Sequence, residues 1–256
     1  PLKLAGTNEP PDYAITSPNS WNRSNCITRA ATEEPGMSGM SIVTYDRHIE
    51  LDIKTKEPFD RIWAFHHREA PLLTVPDSLS DGICCPALDN DEMTLIPLSR
   101  PVEQIRLCAS VADSSFAHSA FYGFSLENGR SGVLYHSFGI NGNTYAAINR
   151  NPQIVRQASG LCPDLVIVSL GTNDSYGASF DPADADVQIT RLIDSIRRNM
   201  PASVLLLTTP MEHCRRIRSK GRTYRKPNPN ACAMRECILR QAALYRLPAV
   251  CGSVLI

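Results

Sequence analysis

The segment Tyr135–Gly177, YHSFGINGNTYAAINRNPQIVRQASGLCPDLVIVSLGTNDSYG, decides how this chain folds. It holds a glycine turn at Gly139–Gly142, a helical stretch, the apolar run Leu165–Leu170, and then Gly171, Thr172, Asn173 and Asp174. A strand, a helix and a second strand in this order predict a parallel α/β sheet. In such sheets, ligands bind outside the carboxyl ends of the strands. A glycine N–H and an asparagine amide at two such ends are what an oxyanion hole requires.

Outward from this segment, the 256 residues suffice for one large domain or two ordinary ones. Hydrophobic residues make up 43% and charged residues 20%, and no run approaches the ~18 apolar residues of a membrane span. No signal peptide is visible, and Pro1 in place of Met reads as a processed or partial product. The formal charge of zero hides an asymmetry. Residues 1–131 carry 11 Lys and Arg against 18 Asp and Glu, whereas residues 132–256 carry 15 against 8. Seven of these basic residues lie between Arg215 and Lys226, a run that could touch an acidic polymer or simply be a solvated loop. The nine cysteines are odd in number, with Cys84 and Cys85 adjacent, and no pair has zinc-ribbon spacing. Cys232 and Cys237, on a predicted helix, are expected to be packed thiols rather than ligands.

Residues 1–20, rich in Pro, Asn and Thr, read as an irregular connection. From Trp21 to Ser131 short strand-like runs follow: SIVTYD, HIELDIKT, RIWAFHH, LLTVP, VEQIRLCASV and AFYGFSLENG. Alternating strands without long helices predict a β-sandwich or jelly roll. Residues 132–256 alternate instead. GVLYHSFGI, DLVIVSLG and SVLLLTTP read as strands; Asn151–Gly160, Ala183–Met200 and Asn230–Arg246 read as helices. This order predicts a parallel sheet with helices on both sides.

GINGN at 139–143, followed about thirty residues later by GTND at 171–174, resembles the second and third sequence blocks of the SGNH (GDSL-type) hydrolase superfamily. PDLVIVSLG resembles the third-block strand, LLLTTP the strand after it, and the match runs over about residues 132–246. More narrowly, the chain resembles the bacterial peptidoglycan and polysaccharide O-acetylesterases, in which a β-sandwich interrupts the α/β domain. The fold implied is a flavodoxin-like three-layer α/β SGNH hydrolase domain, incomplete here, with an inserted antiparallel, jelly-roll-like β-sandwich. Residues 1–20 would be the connection from the first block, 21–131 the sandwich, a candidate carbohydrate-binding module, and 132–256 the hydrolase domain.

The resemblance implies a serine esterase acting on an acylated glycan, located in the periplasm or outside the cell. It implies no metal, organic cofactor or nucleic acid. In that family a GDS serine attacks the ester, a DxxH histidine takes its proton, and the oxyanion is held in part by a second-block glycine and a third-block asparagine. Gly142 and Asn173 match those two donors. The sequence contains neither GDS nor DxxH; PDSLSDG at 76–82 and TNDS at 172–175 lie elsewhere in the order. An inactive fragment of an esterase is therefore expected, with a non-catalytic carbohydrate-binding protein on a degenerate scaffold as the alternative.

The remaining candidates carry plainer readings. Gly139 and Asn141 would shape the turn, and Asp174 would cap the next segment or hold the loop presenting Asn173. His136 is read as a strand residue packed on the sheet, and His213 as lining the pocket without serving as the base. His66 and His67, adjacent on a strand, would point to opposite faces and share no metal. Trp21, Trp63, Tyr122 and Phe124 are read as core packing or, less simply, a sugar-stacking surface.

Overall fold

The computed structural model describes residues 13–27, 34–81, 85–87, 90–112, 116–177, 179–219 and 222–252. The opening link up to residue 12, Cys84 and the last four residues of LPAVCGSVLI lie outside them. The chain divides into two compact units, residues 1–140 and 141–256.

The first unit holds strands β1 (Tyr13–Thr16), β2 (Asn22–Asn25), β3 (Met40–Thr44), β4 (His48–His66), β5 (Cys85–Ala87), β6 (Asn90–Ser110) and β7 (Ser119–Glu127). They form one antiparallel sheet in the order β2-β3-β7-β4-β6-β5, with β1 paired to β4. Tyr13–Thr16, read as irregular, is thus a strand. The runs HIELDIKT and RIWAFHH are a single strand, and VEQIRLCASV is the end of another. LLTVP contributes only an isolated bridge, from Thr74 to Cys108.

The long strands stay amphipathic through a change of phase. Facing the core in β4 are Ile49, Leu51, Ile53 and Phe59, then Ile62 and Ala64; in β6 they are Ile96, Leu98 and Val102, then Ile105, Leu107 and Ala109. Odd and even positions exchange roles at the register shifts between Lys54, Phe59 and Arg61. From the Lys54–Gln104 pair to Phe59–Val102 strand β4 advances five residues against two in β6, and from there to Arg61–Pro97 β6 advances five against two, so the side chains turn over in both strands while the same face stays inward. Both halves of the long pair therefore feed one hydrophobic core, together with Ile15, Ile42 and Phe121. On the outer face Arg106 grips the carboxylate of its cross-strand partner Asp52 in a two-pronged pair of 2.8 and 2.9 Å. The guanidinium hydrogen bond holds the Asp52 carboxyl below its ordinary range.

The second unit holds α1 (Tyr145–Asn149), α2 (Gln153–Ala158), β8 (Leu165–Ser169), α3 (Pro182–Asn199), β9 (Val204–Thr208), β10 (Cys214–Ser219), β11 (Arg222–Pro227), α4 (Asn230–Tyr245) and β12 (Ala249–Val250). GVLYHSFGI, expected as a strand, has no regular structure, and Val133, Leu134 and Tyr135 are exposed. The basic run expected as a loop is a β10–β11 antiparallel ribbon. The main helices fall where their apolar spacing puts them. Helix α3 begins with Asp181 accepting the Ala183 N–H at 2.9 Å and Pro182 in its first turn, and it ends just before Pro201. It buries Ala185, Ile189, Leu192, Ile193 and Ile196 against Met234, Cys237, Ile238 and Ala242 of α4. Cys237 is a packed thiol as expected, whereas Cys232 is exposed.

The parallel sheet runs β12-β9-β8. The chain steps from β8 through α3 to β9, and through α4 to β12, always in one direction. Right-handed crossovers taken in one direction lay every helix on the same side of a sheet. Accordingly α3 and α4 share one core with Val168, Leu205 and Leu207, while the alternate residues Leu165, Ile167 and Val204 of β8 and β9 are about half exposed. Helices on both sides are therefore not found among the described residues, because covering the other face needs a crossover in the opposite direction. This asymmetry sets an expectation for unfolding in urea. Leu207→Ala should cost about 2–5 kcal/mol, and Ile167→Ala less than about 1 kcal/mol. Equal losses would mean that both faces are packed.

Candidate active site

Two turns at the carboxyl side of the parallel sheet meet in the second unit. The first follows β8. Gly171 adopts φ +113°, and a Cβ there would stand 3.1–3.3 Å from Met234 and Ile238 of α4, so only glycine lets the strand pass α4 this closely. The buried Ser175 then folds the chain back, its N–H donating to the Gly171 carbonyl at 3.0 Å and its hydroxyl to the same oxygen at 2.8 Å. This turn presents Asn173 and Asp174. The second turn precedes α1. Gly142, at φ +88°, leads into buried Asn143, and Thr144 caps α1 by accepting the Ala147 N–H at 3.0 Å.

The structure brings both predicted donors to one place. The Asn173 side-chain Nδ2 donates to the backbone carbonyl of Asn143, the residue after Gly142, at 3.0 Å. An amide nitrogen carries two hydrogens, so one is left for an oxygen of a ligand. Gly142 and Asn173 are both exposed. Next to Asn173, Asp174 Oδ1 accepts the Tyr145 N–H at 2.9 Å, which is the loop-holding role expected of it. Burial raises the Asp174 carboxyl above its ordinary range, against backbone N–H groups, the Tyr145 one first, that lower it. Burial likewise raises the Tyr145 hydroxyl, whose oxygen has no hydrogen-bond partner among the described residues.

His213 lies beside this loop rather than on it. Its ring stacks on Tyr176 at a centroid distance of 6.2 Å. The buried Asn228 donates through Nδ2 both to the Ser175 carbonyl at 2.8 Å and to His213 Nε2 at 2.9 Å. With Nε2 accepting, Nδ1–H is left to donate to the Met211 carbonyl at 3.1 Å. Asn230 adds bonds to the carbonyls of Ser175 (3.2 Å) and Gly177 (2.8 Å). Asn143, Asn228 and Asn230 were not singled out from the sequence. The one signal pointing to Asn143 was its place within GINGN.

The other candidates belong to the first unit. His136, expected on a strand, lies in irregular chain with its ring stacked on Phe138, and burial lowers its pKa. His66 is buried and bonds Thr94 Oγ1 at 2.8 Å, and His67 receives the Glu69 N–H at 3.3 Å. Trp21 packs edge-on against Phe121, Phe124 stacks on Phe121, Tyr122 is buried and Trp63 is half-buried, so most of this set serves the core. A Ser110–His48–Glu50 chain, with bonds of 2.9 and 3.1 Å, lies on the exposed side of β4 and β6. Water reaches that surface freely, and the low-dielectric setting that makes such a chain catalytic is missing.

Residues 112–250 match the sequence profile of the GDSL-like Lipase/Acylhydrolase family, more than half of the chain. The chain belongs to that family. No curated protein matches it. Among solved structures, a peptidoglycan O-acetylesterase superposes with a TM-score of 0.69 at 15% identity, over 97% of this chain and 67% of that one. A possible lipase from Chitinophaga pinensis gives 0.36 at 20% identity, over 48% and 53%. A family two carbohydrate esterase from Cellvibrio japonicus gives 0.33 at 11%, over 94% and 89%. At 15% identity the first likeness is one of fold.

The buried Asp174 yields a prediction whose sign is fixed. A carboxyl whose folded pKa lies above its ordinary 3.8 binds its proton more tightly when folded. Its favourable contribution is complete at low pH and is lost as pH rises through the folded value. Asp174→Asn keeps an oxygen for the Tyr145 N–H and removes the charge. Its unfolding midpoint should exceed the parent's at about pH 7, with the gap closing toward about pH 3.5. A gap that widens on acidification would contradict this account.

Proposed function

We propose that this chain carries the oxyanion half of a serine esterase that removes acetyl or another short acyl group from a carbohydrate, such as O-acetylated peptidoglycan or polysaccharide. The observation that carries the reading is the 3.0 Å bond from Asn173 Nδ2 to the Asn143 carbonyl, which sets the side-chain amide beside the Gly142 turn. Membership of an acylhydrolase family and the fold of a peptidoglycan O-acetylesterase support it.

A serine hydroxyl attacks the ester carbonyl, and a histidine takes the serine proton. The negative oxygen of the tetrahedral intermediate accepts hydrogen bonds from the Gly142 N–H and the Asn173 amide. The sugar alkoxide leaves with that proton, and water then hydrolyses the acyl-serine. The serine and the histidine–aspartate pair belong to sequence motifs these 256 residues do not contain. Two features support their arrival on further chain. Strand β8 pairs on one side only among the described residues, and the sheet face bearing Leu165, Ile167 and Val204 is open. Parallel sheets are ordinarily covered on both faces. In this reading the antiparallel unit is the inserted, jelly-roll-like sandwich, and the enzyme works in the periplasm or outside the cell, where such glycans are.

The test uses a chromogenic acetyl ester and the protein extended to include the serine and histidine motifs. Asn173→Ala should lower kcat about 10²- to 10³-fold while costing no more than about 0.5–1.5 kcal/mol of stability for the lost bond to Asn143. Unchanged turnover would remove Asn173 from the mechanism. The 256-residue chain alone should cleave the ester no faster than buffer. An extended protein that binds acylated glycan without cleaving any ester would instead be a carbohydrate-binding protein on a hydrolase scaffold.

A further inference from the structure

The β10–β11 ribbon has a composition that its own stability does not explain. Its register sets Arg215 opposite Lys226 and Arg216 opposite Arg225, and every residue of β11 is exposed. Like charges directly opposite one another on a sheet are destabilising. No carboxylate pairs with these cations among the described residues. Successive residues of a strand point to opposite faces. One face therefore groups Arg215, Lys226 and Arg222 around the Ile217–Tyr224 pair, and the other carries Arg216, Arg225 and Arg218. Tyr224 is 47% exposed, a ring bordered by cations and open to solvent.

The ribbon is rooted at the candidate site. His213 and Asn228 immediately flank it and join through the Asn228 N–H to the His213 carbonyl at 2.9 Å. Asn228 and Asn230 hold the Ser175 carbonyl of the loop that presents Asn173. Tyr176 stacks on His213. A polymer lying along the ribbon thus runs toward the oxyanion donors.

We infer that the β10–β11 ribbon binds a carboxylate-bearing glycan strand and feeds its acylated sugars to the Gly142–Asn173 site. The glycan class rests on the esterase reading, and the anion requirement rests on the ribbon alone. Its charges suit carboxylates spaced along a chain, and the exposed Tyr224 ring suits the apolar face of a sugar. Single-stranded nucleic acid fits less well. Its binders offer successive aromatic rings for base stacking, whereas the described ribbon has one, and the chain as a whole carries no net charge.

The test is binding of the intact 256-residue chain to polygalacturonate, to its fully methyl-esterified form, and to single-stranded DNA, all at one salt concentration. Polygalacturonate should bind at least tenfold more tightly than the neutral form and than DNA. The triple variant Arg215→Gln, Arg222→Gln, Lys226→Gln, on the face that carries Tyr224, should lose at least tenfold of that affinity with no fall in unfolding midpoint. The matching Arg215→Lys, Arg222→Lys variant should keep most of it. Unchanged binding by the Gln variant, equal binding of the neutral polymer, or tighter binding of DNA each overturns the inference. None of these measurements requires ester cleavage, so an inactive oxyanion site and a non-binding ribbon are told apart.

Discussion

Three consecutive residues, Asn173, Asp174 and Ser175, tie three separate pieces of the second unit together, and the site exists only because they do. The Asn173 amide holds the Asn143 carbonyl, the Asp174 carboxylate holds the Tyr145 N–H, and the Ser175 carbonyl is held by Asn228 and Asn230. Each bond replaces one that water would otherwise make, so its net worth is about 0.5–1.5 kcal/mol. Their importance is geometric. Core packing of Tyr145 brings α1 and the turn before it near, and these bonds fix where that turn meets the loop after β8. Asp174 is the costly member, since its carboxyl is drawn out of water and the backbone N–H groups it accepts, Tyr145's first, do not offset that burial.

That loop can do this because of where the sheet puts it. In a β8-α3-β9-α4-β12 path running one way, all three strands present their carboxyl ends along the same edge. The residues after β8 and β9, up to Ser175 and His213, become neighbours there. The same one-way path places α3 and α4 on a single face and leaves the other open. The site and the bare face thus have one topological origin. Gly171 is where the two demands meet: a side chain there would strike α4, and without close passage by α4 the loop would not sit over the core.

Much of this was legible in the sequence. The apolar spacing of Ile189, Leu192, Ile193 and Ile196 located α3, and GINGN with GTND located the two turns. What failed had a common cause, because pattern records a residue's own preference and not its partners. GVLYHSFGI alternates like a strand, but a strand needs a neighbour, and none pairs with it among the described residues. HIELDIKT and RIWAFHH read as two strands because turn-favouring residues such as Pro58 and Asp60 lie between them, where the single strand β4 has its register shifts. Asn228 looked like any loop asparagine, since a role built from the Ser175 carbonyl and His213 Nε2 leaves no periodic trace.

The basic run was misread for a more specific reason. Strand reasoning discounts a segment with arginines opposite arginines, because local energetics oppose it. The ribbon forms because its ends are fixed, with Asn228 buried and bonded to both His213 and Ser175, and Asn230 adding two carbonyl bonds next to it. With both ends held, closing the short connection between β10 and β11 costs little further chain entropy. The two strands can then pair in spite of their charge. The repulsion persists in the folded protein as an unneutralised field on a projecting element, and a polyanion lying along the ribbon would relieve it. Local conflict of this kind, tolerated where neighbouring structure enforces it, is what sequence-level rules are expected to miss at functional surfaces.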